Sequence, residues 1–273
     1  MTMNPDLATT FHGLHGGPDL LLLANAWDAG SARLIESLGA RAIATTSAGV
    51  AWSHGYPDGD ALPISLVVAT TAAIARVVRV PLTVDIEGGY SSDPAAVARL
   101  AGALIEAGAV GVNLEDGTAA PDLLCAKIAQ VRRMATELGV DLFINARTDV
   151  YLRELVPEAE RIAEVCARAA RYRDAGASGI FVPKVLEPAA ISAIARAIEL
   201  PLNVLAWPGL PASAELTGLG ARRLSTRASI AQGALDRAAK LADGFLRDGR
   251  RESPADREVT SRELNALFAA PSR

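Results

Sequence analysis

A fragment close to G-A-x-x-(I/V) recurs at Gly39, Gly108, Gly176 and Gly220, each time between a helix-like segment and a β-rich run. Gly139 stands in the same place before the apolar run 140–144. A glycine just past a helix takes the left-handed conformation that ends it, and the chain turns directly into a buried strand. Before Pro81 and Pro201 a proline ends the helix instead. Counted this way, eight strands fall at 20–27, 41–47, 82–87, 109–115, 141–147, 178–184, 202–207 and 222–226. Helices fit at 66–79, 94–107, 121–138, 157–174, 188–199 and 211–219, with a short one from 28–31 through Leu38 and another over 229–246. Eight β-α units in about 250 residues predict an α/β fold, a (β/α)8 TIM-type barrel. A doubly wound sheet is the rival, but no G-x-G-x-x-G follows the first strand.

Composition agrees with a large core of packed helices and short strands. Half of the 273 residues are hydrophobic and only 4% aromatic, with a mean hydropathy of +0.22. Residues 1–18 lack periodicity and read as a loose arm. Barrel and arm make a domain over 1–250, and 251–273 reads as a C-terminal helical extension, with an amphipathic helix at 257–268 whose stripe of Leu264, Leu267 and Phe268 must be buried on its own barrel or on a neighbouring subunit. A formal charge of −4 gives no electrostatic case for nucleic acid or an anionic membrane. The apolar run 20–24 is far too short to span a bilayer, and no basic segment precedes it, so a cytoplasmic protein is expected. Cys125 and Cys166 have no C-x-x-C partner and read as reduced, buried thiols.

In such a barrel the functional groups sit at the C-terminal ends of the strands. The third strand runs out as V-D-I-E-G-G-Y, and residues two apart on a strand share a face, so Asp85 and Glu87 bring two carboxylates to one small volume. The fourth ends in G-V-N-L-E-D, adding Asn113 and Glu115. Three carboxylates with no His or Cys nearby form a hard oxygen site suited to Mg²⁺ or Mn²⁺ and poorly to Zn²⁺. Taken singly, such acids more often cap the next helix or face solvent. Ser47, Ala48 and Gly49 follow the second strand and offer backbone N–H groups for an anion nest. The fifth strand ends in I-N-A-R-T-D, with Asn145 and Arg147 on one face, and a fixed guanidinium grips a carboxylate or phosphate with two prongs. Lys184 and Asn203 stand at the sixth and seventh tips. A metal flanked by Arg147 and backbone donors suits a small 2-oxo or 2-hydroxy carboxylic acid, and predicts a lyase or decarboxylase working through an enolate.

The order N-A-W-D-A-G-S-A, T-T-S-A-G-V-A, Y-P-D, D-I-E-G-G-Y, G-V-N-L-E-D-G and I-N-A-R-T-D resembles the isocitrate lyase and phosphoenolpyruvate mutase superfamily over roughly residues 20–250. The resemblance implies a Mg²⁺-dependent barrel and a homotetramer, a dimer of dimers in which a terminal helix swaps between subunits. It implies that Asp85, Glu87 and Glu115 serve the metal directly or through water, that Ser47 with Ala48 or Gly49 and Arg147 hold substrate, and that Asp58 lies near the metal as a catalytic group.

Two departures stand against that pattern. The family commonly has Asp where this chain has Glu87. The lyases' K-K-C-G-H loop after the fourth-strand acids is replaced here by G-T-A-A-P-D-L-L, which also lacks the mutase's Lys and Asn. Cys125 falls later, on a helix, and reads as core. The leading expectation is a Mg²⁺-dependent C–C lyase, isocitrate-lyase-like or of the oxaloacetate decarboxylase type. P–C chemistry on phosphonates is second. A Schiff-base aldolase using Lys184 is a third class, against which Lys184 reads more simply as the partner of an acid, and a 2-oxo acid binder without turnover is the last.

Overall fold

The computed structural model describes residues 5–249 and 259–269, and its nine strands are all parallel. In chain order β1 (Leu21–Leu23), β2 (Asn25–Ala26), β3 (Ile43–Thr45), β4 (Leu82–Asp85) and β5 (Gly111–Glu115) make one half of the sheet. The other half is β6 (Phe143–Arg147), β7 (Gly179–Val182), β8 (Leu202–Leu205) and β9 (Ala221–Ser225). The first expected strand is thus two short pieces on either side of Ala24: β1 pairs with β9, and β2 pairs with β3. Both ends of the sheet lie on one stretch of chain, which closes an eight-position barrel. The interior positions are almost wholly buried.

Helices alternate with the strands on the outside. They are α2 (Ala29–Ser37), α4 (Ile64–Val77), α5 (Pro94–Glu106), α6 (Pro121–Glu137), α7 (Arg161–Asp174), α8 (Pro188–Ala197) and α9 (Ser213–Gly218). The repeat glycines end their helices as their placement predicts, with φ of +95° at Gly39 and Gly220 and +108° at Gly108 and Gly176. A further helix, α3 (Ser47–Ser53), starts directly from the β3 tip, where the sequence suggested only a run of small residues.

The N-terminal segment corrects the reading of a loose arm: from Pro5 to Gly16 it is a helix, α1. Its weak period hid an anchor, because Phe11 is fully buried and meets Phe143 edge to face at 5.3 Å, while His15 stacks on the same ring at 3.9 Å. Phe143 is the first residue of β6, so α1 plugs the N-terminal end of the barrel, opposite the strand tips. Gly111 makes room for this plug, since a Cβ there would come within 2.8 Å of Phe11.

After β9 comes α10 (Ser229–Asp248), from which Leu235, Phe245 and Leu246 are exposed. The appended helix α11 (Ser261–Ala269) packs on α2 of its own barrel. Arg33 Nε donates to the Leu267 carbonyl at 3.3 Å, while Leu264 and Phe268 stay partly exposed. Residues 250–258, where that helix was expected to begin, lie outside the described part. Among the described residues no helix is long and apolar enough to cross a membrane.

Candidate active site

The strand tips enclose a cavity of about 260 Å³ lined by Ser47, Ala48, Asp58, Asp85, Glu87, Asn113, Glu115 and Arg147. Glu87 and Glu115, with Gly59 and Arg153, also line a more open neighbouring cavity of about 400 Å³ over residues 117–119. Strand register explains the convergence. Asp85 lies opposite Asn113 across β4 and β5, and Glu115 opposite Arg147 across β5 and β6.

The carboxylates are short of positive charge. Asp85 is held by the Ser47 N–H, 3.4 Å from its Oδ2, and burial raises its pKa, with Arg147 opposing and Asp58 adding to the rise. Glu87 has a left-handed backbone, φ +51°, and accepts from the Asp60 N–H at 2.5 Å and the Tyr90 hydroxyl at 3.1 Å. Burial, joined by repulsion from Asp58, Asp60 and Asp85, pushes it up to about 7. Glu115 reaches about 8, again mainly through burial, although Arg147 Nη1 lies only 2.6 Å from its Oε2. Carboxyls this reluctant to ionise need a proton or a cation.

One buried acid organises the cationic side. Asp149 is fully buried and accepts from Arg147 Nε at 2.7 Å, Arg147 Nη2 at 3.1 Å and Arg153 Nε at 2.8 Å. Its own N–H donates to Asp116 Oδ1 at 2.9 Å, and Asp116 Oδ2 takes Arg168 at 2.8 Å and the Tyr172 hydroxyl at 2.7 Å. Burial alone would lower Arg147, but Glu115 and Asp149 together outweigh it and hold the guanidinium charged. Asp116, the last acid of N-L-E-D, is therefore part of the scaffold behind the site. Beneath the cavity, Arg223 is fully buried among strand interiors and donates to Asn113 Oδ1 at 3.1 Å; burial lowers its pKa to about 9, with Asp85 opposing.

Other expected residues stand elsewhere. Gly49 does not line the cavity; it lies where α3 crosses Trp27 and Ala231, and a Cβ would meet Trp27 at 2.9 Å and Ala231 at 3.2 Å. Asn203 is buried in the barrel interior and does not line the cavity either, its Oδ1 3.5 Å from Ser225 Oγ. Lys184 Nζ faces Glu154 at 3.6 Å and is likewise absent from the cavity wall. Cys125 sits on α6, packed against the core, with burial raising its thiol. The sequence reading missed Asp60, Tyr90, Asp149, Arg153 and Arg227. Asp149 alone had a signal, lying two residues past Arg147 in the same tip.

Among the described residues no group of three His, Cys, Asp or Glu side chains stands ready to hold a metal ion directly. Glu115 is turned onto Arg147 and Glu87 onto Asp60 and Tyr90. The donor set still fits a hard cation: it is all oxygen, strongly anionic, and Mg²⁺ keeps several waters and takes only one or two carboxylates directly.

The phosphoenolpyruvate phosphomutase family model matches residues 11–246. An uncharacterized protein of Mycobacterium tuberculosis is 40% identical over 222 residues, 80% of this chain and 81% of that one. The crystal structure of a phosphonomutase candidate from Burkholderia cenocepacia J2315 superposes with a TM-score of 0.83 at 39% identity, covering 87% of this chain and 99% of that chain. An oxaloacetate decarboxylase of Pseudomonas aeruginosa is 28% identical over 280 residues, 97% of this chain and 92% of that one. A barrel with two anionic strand tips facing a buried arginine, and a family match that runs from α1 into α10, place this chain in the phosphoenolpyruvate phosphomutase family of the isocitrate lyase and phosphoenolpyruvate mutase superfamily.

Proposed function

We propose that the protein is a Mg²⁺-dependent lyase that breaks a C–C bond beside the carboxylate of a small 2-oxo or 2-hydroxy acid. The observation that carries this reading is the imbalance in the cavity, where Asp58, Asp85, Glu87 and Glu115 face one buried guanidinium already shared with Asp149. Asp85, Glu87 and Glu115 would hold the ion, partly through water, and Mn²⁺ would suit the same donors. Bound there, the cation would stabilise the negative charge that develops on the substrate's oxygen as the bond breaks. Arg147, fixed by Glu115 and Asp149, orients the substrate carboxylate, and the Ser47 and Ala48 backbone at the start of α3 stands at the opposite wall. Asp58 adds a carboxylate near the ion. No thiol lines the cavity among the described residues, so the proton taken up by the departing fragment comes from a carboxyl group or water rather than from Cys125.

The match to a phosphomutase family model, and the 39% likeness to a phosphonomutase candidate, favour P–C bond chemistry as the second reading. The decarboxylase likeness, which spans nearly the whole chain, supports the first. A turnover screen of oxo acids, hydroxy acids and phosphonates with Mg²⁺ or with EDTA, read by pyruvate or glyoxylate release, separates them. Release from a phosphonate alone would replace the C–C reading with the P–C one, and Mg²⁺-dependent binding with no turnover would mark a binder. We also propose a cytoplasmic homotetramer, supported by the exposed apolar residues of α10, Leu235, Phe245 and Leu246.

A further inference from the structure

Three arginines line the site cavity: Arg147, Arg153 and Arg227. The first two are neutralised from within, Arg147 by Glu115 and Asp149 and Arg153 by Asp149. Arg227 pairs with no carboxylate among the described residues; its guanidinium lies over the Trp207 ring, 5.3 Å from the centroid. An aromatic face steadies a cation without cancelling its charge. Arg227 also sits in a left-handed conformation, φ +59°, which glycine adopts freely and other residues adopt at a cost. Its backbone has little freedom to move, because Thr226 is clamped to Asn25. The Asn25 N–H donates to Thr226 Oγ1 at 2.9 Å, and the Thr226 N–H donates to Asn25 Oδ1 at 2.9 Å. A strained, clamped position at a cavity wall is a costly place for an arginine whose only work is solvation.

Arg227 follows β9, which in the strand order stands four places from β5, across the barrel mouth from Glu115. The cavity is therefore bipolar, with carboxylates on one wall and an uncompensated guanidinium on the other. We propose that Arg227 determines specificity by binding a second carboxylate, so that the site takes a short dicarboxylic 2-oxo acid, its 2-oxo acid end toward the carboxylate wall and its distal acid on Arg227. This rests on the function proposed above and adds the substrate class. A monocarboxylic acid would leave the Arg227 charge unanswered, whereas a distal carboxylate would form a charge-assisted pair with it.

The test is calorimetry with Mg²⁺, using 2-oxoglutarate and 2-oxopentanoate, which share a chain and differ in the terminal carboxylate. The wild-type protein should bind the dicarboxylate about tenfold more tightly or better, the scale of one charge-assisted hydrogen bond. Arg227→Gly suits the left-handed backbone and should melt no lower than wild type, and Arg227→Gln keeps much of the bulk. Both should lose the discrimination while binding 2-oxopentanoate as the wild type does. Comparable wild-type affinity for the two acids, or discrimination that survives in both variants, would overturn the role of Arg227 and leave the proposed function standing. Binding of neither acid by the wild type would overturn the 2-oxo acid site itself, and this inference with it.

Discussion

Replacing Glu87 by Gln should stabilise the metal-free protein at alkaline pH and leave it unchanged in acid. Glu87 is only 7% exposed and its carboxyl is raised from 4.5 to about 7. Below pH 4.5 folded and unfolded chains both carry the proton, so this group costs nothing. Between 4.5 and 7 the unfolded chain ionises while the folded one holds its proton, so stability falls as pH rises, and above 7 the full cost remains. At about 1.4 kcal/mol per tenfold change in proton affinity, that cost is about 3 kcal/mol. Gln can keep both contacts: its oxygen accepts from the Asp60 N–H, and its amide donates to the Tyr90 oxygen once that hydroxyl rotates. For a chain of this size 1 kcal/mol moves Tm by roughly 2–4 °C, so the variant should melt roughly 6–12 °C higher at pH 8.5 and level with wild type at pH 4.5. Thermal unfolding followed by circular dichroism at both pH values measures this. Added Mg²⁺ should raise the wild-type Tm at pH 8.5 and raise the variant's far less. A variant that differs from wild type by the same amount at both pH values would refute the claim that ionisation of Glu87 in its buried setting is the source of the cost.

Asp85→Ala should abolish Mg²⁺-dependent turnover, whereas Cys125→Ser should keep most of it; equal losses in both would restore a catalytic thiol. Arg147→Ala should weaken 2-oxo acid binding by about a hundredfold in calorimetry, the scale of a two-pronged charged contact with Asp149 left unpaired. Phe11→Ala should cost about 3–5 kcal/mol in urea unfolding, because the ring is fully buried at the barrel floor; a loss below 1 kcal/mol would mean that α1 is dispensable. Truncation after Arg250 tests assembly by light scattering: an unchanged mass would confine subunit contacts to the barrel and α10.

The barrel was legible because its signals are local and repeated. A glycine that ends a helix and an apolar run that must be buried can each be read without knowing the partner. Asp85, Glu87, Glu115 and Arg147 were legible for a related reason, since alternation along a strand fixes which residues share a face. Asn203 alternates correctly too, but its side chain lies lower in the barrel, a depth set by strand stagger that no single strand encodes. Asp149 and Arg227 act through partners far off in sequence or through the shape of a loop, so nothing near them in the chain announced them. The helix at Pro5–Gly16 was missed because its fixing contacts, Phe11 and His15 against Phe143, lie more than 120 residues along the chain.

The divided first strand bears on how the chain reaches this structure. Leu21–Leu23 is hydrogen-bonded to β9, the last strand made, while Asn25–Ala26 is bonded to β3, the next one made. During synthesis the second half can pair early, but the first half keeps an open edge until Ser225 has left the ribosome, and β8 keeps another facing it. Pairing so distant in sequence forms slowly, and unpaired parallel edges invite association with other chains in the interval. The vulnerable species is thus a nearly finished, unclosed barrel, and substitutions in β1 or β9 should lower the yield of folded protein by more than their effect on the stability of the closed barrel would suggest.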